Sequence, residues 1–320
     1  MNNPKILALL TVIFWSFSST LARLLSFSSP YLLFCLSFAS ALFIYLTYAR
    51  TVYKRGLWQK LRQIPVKYFL AGLLGYYAIW VGNTESFLSY DSASETTVLN
   101  YTWLVFTVFF STMIFNRPKK ITVRAITGNV GLLLCFLSVY ILAVEGRFTS
   151  FNFSNTAGLL WGLMGGMAYG LFSAYSANIP RDKRLLFLIA AVSSSLAAML
   201  ITAIFRDSSF RESIAAITLY DILYAFALGV LVDAVGYIMW TRSLQRAVAT
   251  GTAIFKIASI IFLLPLLSLV IVSLVFNEKT IFEPYFLASI LLLLAGIAMA
   301  QKAEGIAAWI IHPTRGHPRQ

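Results

Sequence analysis

The sequence predicts an all-α integral membrane protein: ten transmembrane helices arranged as two inverted five-helix repeats, with both termini cytoplasmic. Three observations predict it. Of the 320 residues, 59% are hydrophobic and 12% charged, and the mean hydropathy is +0.79, outside the range of soluble globular chains. Apolar windows of about 20 residues, the length that crosses a bilayer as a helix, recur ten times. The chain also matches itself at an offset of 161 residues, close to half its length.

The windows lie near 5–23, 30–49, 67–88, 93–115, 121–144, 156–178, 184–205, 218–241, 250–275 and 281–301. Lys5 ahead of an apolar run, with Ser18 and Ser19 after it, could be read as a secretory signal; nine further windows favour a retained span. Cys35 and Cys135 fall inside windows with no partner pattern and read as packing residues. Both histidines, His312 and His317, sit in the terminal tail, so no histidine metal site is expected in the bundle. The net charge is +13. Arg23, Arg147, Arg206, Arg211 and Lys279 fall on one side of the bilayer, Lys256 lies within a span, and every other Lys and Arg falls on the side of the amino terminus. That asymmetry places both termini in the cytoplasm and assigns the basic excess to insertion and the inner leaflet, not to a nucleic acid.

At the offset of 161 residues, "GYYAIW" (Gly75–Trp80) falls on "GYIMWT" (Gly236–Thr241), Phe115-Asn116 on Phe276-Asn277, Leu104 on Pro265 and Glu95 on Lys256. Ten windows then divide into residues 1–150 and 151–302, joined near 147–155 and followed by a cytoplasmic tail, 303–320, with Trp309 suited to the interface. An odd number of crossings per half inverts the second half, the plan of many secondary transporters.

Candidate site residues come from polar positions inside the windows. Lys256, in "TAIFKIASIIFLLP", costs about 2.5–3.5 kcal/mol at the centre of a span, so it needs a partner or a watery cavity unless its amine snorkels to the headgroups. Thr252, Lys256 and Ser259 share one helix face, which should meet a cavity or another helix. Asp233, Gly236, Tyr237 and Trp240 share a face of the eighth window. Asp233 is read at a depth close to that of Lys256, and an ion pair or water-bridged contact between the two is expected. The fourth window aligns Thr96, Asn100, Trp103, Thr107 and Ser111, with Glu95 near the outer end; the third aligns Tyr76, Trp80 and Asn83. Glu85 and Asp91 are expected to be solvated. Gly158, Gly162, Gly166 and Gly170 form a small-residue ridge for close helix approach. Pro265 should kink the ninth span and serve as a hinge.

With "FWSFSSTLAR" around Trp15, "LAGLLGYYAIWVGNTESFLSY" and "LLPLLSLVIVSLVFNE" in place, the chain resembles the drug/metabolite transporter superfamily, EamA type, along nearly its whole length. "SETTVLNYTW" (Ser94–Trp103) is similar to the fourth-span motif of bacterial aromatic amino acid exporters, Glu95 included. The chain departs from those exporters at Leu104, where proline is usual, and at Lys256, in a span that is otherwise apolar. The resemblance implies transport of amino acids or related metabolites and adds Trp15 and Glu95 to the candidate site.

No Cys/His metal spacing, GxSxG, GxxxxGK[ST] or paired-acid motif is present. The expectation is therefore a carrier, not an enzyme, with no cofactor, driven by a gradient of protons or of a counter-substrate. It should move a small polar or zwitterionic metabolite by alternating access across a bacterial inner (plasma) membrane. Lys256 would attract an anionic group, Glu95 and Asp233 would balance charge, and Tyr76, Trp80, Trp103, Tyr237 and Trp240 would contact the apolar part, with Asn100, Ser259 and Trp15 completing the site. A phosphorylated or nucleotide-linked substrate stays open, because "TGTAIFKIAS" is similar to the ninth span of sugar-nucleotide and triose-phosphate carriers. A non-transporting receptor and a homodimeric assembly stay open as well.

Overall fold

The computed structural model describes residues 3–26, 28–90, 93–115, 122–147, 155–277 and 283–311. The expected joint between the halves, 147–155, lies outside these residues except for its two ends, and Asp91 and both histidines lie outside them as well. Ten long helices follow one another among those described: α1 (Pro4–Arg23), α2 (Pro30–Arg62), α3 (66–90), α4 (Ser94–Ile114), α5 (Val123–Ala143), α6 (Thr156–Ala177), α7 (Arg181–Arg206), α8 (Leu219–Ala249), α9 (Ile254–Phe276) and α10 (Pro284–Gln301). A shorter helix, α11 (Ala303–Ile311), comes last. Nine of the ten are long and apolar enough to cross a membrane. The remaining one, α3, is long enough but is diluted by Tyr76, Tyr77, Asn83, Thr84 and Glu85. The chain is an all-α, multi-pass membrane protein.

The helix starts carry their own chemistry, as they must where water is scarce. Asn3, Ser29, Thr122 and Asn155 each accept a backbone N–H of the first turn, and Pro4 and Pro30 open their helices. Thr218 and Asp221 form a reciprocal capping box at α8. The short α8–α9 connection turns at Gly251, whose φ of +67° suits a residue without Cβ. Large apolar side chains such as Leu74, Leu160, Phe205, Leu274 and Leu291 remain exposed on the outer surface, where lipid is the natural solvent.

α1 lies against α8 and α9, and α6 against α3 and α4; α2 and α7 pack together, α2 also meeting α8 and α7 also meeting α3; α5 pairs with α10, and α4 touches α9. The glycine ridge of α6 performs as expected. A Cβ on Gly162 would sit 2.7 Å from Leu99 Cβ, and one on Gly170 2.4 Å from Phe106 Cβ. Cross-links define two ends. At the basal end, near the amino terminus, Ser243 Oγ donates to Pro4 O at 2.7 Å and Gln245 Nε2 to Ser176 O at 2.9 Å. At the apical end, Ser26 N donates to Asp221 Oδ1 at 2.7 Å and Asn155 Nδ2 to Ser89 O at 2.6 Å.

Several helices are interrupted near mid-bundle. α1 breaks after Trp15, α9 breaks at Phe262, and α3 and α8 contain π-helical segments at Leu73–Tyr77 and Gly229–Gly236. The break in α9 sits three residues before Pro265, whose missing N–H leaves the carbonyl of Ile261 without its helical donor. These interruptions gather around one internal space.

Candidate functional site

A cavity of about 900 Å³ lies among α1, α3, α4, α8 and α9, a volume suited to a small organic ligand. Its wall runs from the apical mouth, where Arg23, Leu88, Ser94, Glu145 and Tyr285 stand, down to Trp15, Trp103, Tyr169, Val232 and Tyr237 at mid-bundle. Between them lie hydroxyls and one amide pair: Ser18, Ser19, Asn83, Thr97, Asn100 and Ser268. Among the described wall residues, Arg23 and Glu145 are the charged ones, and both are at the mouth. Arg23 also rests over the Phe276 ring, 4.4 Å from its centroid.

Interlocked rings close the cavity on the basal side. Trp15 meets Tyr237 at 5.1 Å and Trp103 at 6.0 Å between centroids; Trp103 meets Tyr169 at 4.9 Å and Trp240 at 5.4 Å, mostly edge to face. Beneath them Tyr76 stacks on Tyr237 at 4.0 Å. The π-helical segment of α8 anchors this floor, because widening the turn presents backbone carbonyls sideways. Val232 O accepts Trp15 Nε1 at 3.1 Å, Asp233 O accepts the hydroxyls of Tyr45 at 2.8 Å and Tyr76 at 3.2 Å, and Ala234 O accepts Tyr45 at 3.1 Å. Gly236 is required here: a Cβ would fall 2.4 Å from Trp15 Nε1.

Of the residues expected from sequence, Trp15, Trp80, Asn100, Trp103, Tyr237 and Pro265 line the cavity. Tyr76 and Trp240 are fully buried just behind the floor, Trp240 Nε1 donating to Ser173 Oγ at 3.1 Å. Glu95 is buried beside the mouth, flanked by the wall residues Ser94 and Thr96. Lys256, Asp233 and Ser259 are not part of the wall.

The expected Asp233–Lys256 pair is not formed. Lys256 Nζ donates to Glu304 Oε2 of α11, and Arg124 Nη2 of α5 lies 2.9 Å from Glu304 Oε1. Asp233 Oδ2 instead accepts Ser37 Oγ of α2. The physical reason is depth. α8 continues past 241 to Ala249, which puts Asp233 about 24 Å from its basal end, whereas Lys256 stands in the first turn of α9. The polar face of α9 does meet another helix, since Gln301 Nε2 of α10 donates to Lys256 O at 2.7 Å and to Ser259 Oγ at 3.3 Å. Glu85, expected to be solvated, has a side chain only 12% exposed; it accepts Tyr31 OH at 2.6 Å and lies 3.5 Å from Arg206.

Sequence reasoning passed over Ser37, Tyr45, Tyr169, Arg23 and Glu304. For Glu304 a signal existed: it is the one carboxylate after Glu283, set among basal cations. Among the described residues no group of three His, Cys, Asp or Glu is placed to hold a metal ion.

No family model matches the chain, and no curated protein is similar to it. Among solved structures it is similar to a crystal structure of a protein with a TM-score of 0.76 and 16% identity, covering 95% of this chain and 98% of the other. At that identity the likeness carries the fold from end to end and nothing of the activity.

Proposed function

We propose that the protein is a secondary transporter of the drug/metabolite transporter type that moves a small polar or zwitterionic metabolite with an apolar portion, such as an amino acid, by alternating access. The observation that carries this reading is the cavity itself: a mid-bundle chamber with indole and phenol walls and hydroxyl and amide groups, reaching one end of the bundle and shut from the other by stacked rings. Its packing pattern supports the alternating part. Exchanging each helix with the one five places later maps α1 on α8 and α9 onto α6 on α3 and α4, and leaves the α2–α7, α4–α9 and α5–α10 pairs unchanged. Two halves so related have a second arrangement available, with the chamber open at the basal end. The π-helical segments of α3 and α8 overlap at the same offset of 161 residues. With the cation-rich basal end in the cytoplasm, this state faces outward and both termini are inside, α3 acting as the tenth span, sheltered among α6 and α7.

A phosphorylated substrate is the weaker reading, because it rested on Lys256 as an anion receptor. That amine is already engaged by Glu304, outside the wall. The test is a thermal-shift screen of the purified full chain against amino acids, nucleosides and sugar phosphates, repeated with Asn100→Ala and Lys256→Ala. Ligands that stabilise the parent and Lys256→Ala but not Asn100→Ala identify the substrate class. Solute flux in proteoliposomes then separates a carrier from a receptor that only binds.

A further inference from the structure

Asp233 is the unexplained group of the floor. It is 2% exposed and lies midway along a membrane span. Oδ2 accepts Ser37 Oγ, while Oδ1 is buried with no hydrogen-bond partner among the described residues. The groups facing it are Ser37 and Tyr45 from α2, Tyr76 from α3, Tyr169 from α6 and Tyr237 on its own helix, with Trp15 of α1 bonded to the adjoining carbonyl. All are neutral hydroxyls or an indole. Among the described residues no Lys, Arg or His pairs with it.

An ionised carboxylate in such surroundings is stranded, since bulk solvent hardly reaches it and no described countercharge offsets its lost hydration. Placing a proton on Oδ2 resolves the geometry. Oδ2–H then donates to Ser37 Oγ, and Oδ1 becomes a carbonyl oxygen, the kind of atom that tolerates a missing donor best. A metal cation is a poor alternative, because it takes about six oxygens. Here the carbonyls of Val232, Asp233 and Ala234 already accept Trp15, Tyr45 and Tyr76, leaving too few.

We propose that a proton is a second ligand of this protein, bound at the Asp233 carboxyl beneath the aromatic floor, and that its binding is tied to closure of that floor. The linkage is structural. The segment that carries Asp233 also holds Trp15, Tyr45 and Tyr76 through its carbonyls, and its neighbours Val232 and Tyr237 are cavity wall. Parting the rings to open the basal end brings water to the carboxyl and lets the proton leave; closing them requires its return. The site stands independently of transport, whereas its role as the coupling ion rests on the transporter reading.

The experiment is infrared spectroscopy of the full chain in liposomes across mildly acidic to mildly alkaline pH. A carbonyl stretch from a protonated, water-excluded carboxyl is expected in the wild type. Asp233→Asn should remove it, and Ser37→Ala, which keeps the acid, should shift it without removing it. Tryptophan emission from the floor should change with pH in the wild type and stay flat in Asp233→Asn. If wild-type and Asp233→Asn spectra superpose in the carboxyl region, or if sodium and not pH alters the band, the proposal falls. Should Asp233→Asn fail to fold, an unchanged band in Ser37→Ala overturns it alone. An intact Asp233 band in a protein that moves no solute would sink the transport reading and leave the proton site standing.

Discussion

Lys256 and Glu304 join α9 to α11 at the basal end, and Arg124 of α5 reaches the same carboxylate at 2.9 Å. Three segments are thus held together at this end by one acid. Lys256 contributes a side chain only 11% exposed, while Glu304 is 46% exposed, so the pair is half in water.

That asymmetry sets the first prediction. Glu304→Ala leaves a largely buried ammonium without its partner and should cost about 1–2 kcal/mol, less than the loss of a fully buried pair because solvent screens the exposed partner. A double-mutant cycle between Lys256 and Glu304, read by thermal unfolding in detergent, should show clear coupling. The same cycle between Lys256 and Asp233 should be additive within about 0.5 kcal/mol; coupling there would contradict the arrangement described.

The second concerns pH. Partial burial alone would raise the Glu304 carboxyl, but the hydrogen bond from Lys256 and the nearby Arg124 charge outweigh it and hold it below the ordinary carboxylate value. A depressed folded value means that the contribution is fully present above the unfolded value, about 4.3, and disappears as pH falls through the folded one. The unfolding temperature should drop in that acidic window, and the Glu304→Gln variant should lose this part of the drop. A parallel decline in both would refute it.

Two glycines should behave oppositely. Gly236→Ala drives a methyl into Trp15, whose Cδ1 and Nε1 both lie 2.4 Å from the added carbon, and should cost about 1–3 kcal/mol. Gly305→Ala, inside α11 with nothing within 4 Å, should stabilise by up to about 1 kcal/mol. Thermal melts of the two variants decide this directly, and a neutral Gly236→Ala would show that the floor is not tightly seated.

A fourth prediction concerns the indole of Trp15. Trp15→Phe keeps a ring in the floor but leaves Val232 O, in the π-helical segment, without its donor. The expected loss is about 1–3 kcal/mol; wild-type stability would mean that another donor replaces the indole.

Much of this protein is written along the chain. Helical apolar windows, the α6 ridge and the break ahead of Pro265 are local matters of periodicity and backbone chemistry, and each was legible without neighbours. Trp80, Asn100, Trp103 and Tyr237 could be selected as wall residues because polar and aromatic groups inside apolar helices gather on inward faces, whereas Trp15 came from the family resemblance alone. Partnership was decided only in three dimensions. Periodicity assigns Lys256 and Asp233 to a face of a helix, but not the helix that face meets, and a terminus displaced from 241 to Ala249 moves a side chain by about 12 Å along the helix axis. Glu304 and Ser37 became their partners because helix packing, not sequence spacing, sets which charges and hydroxyls lie at the same depth.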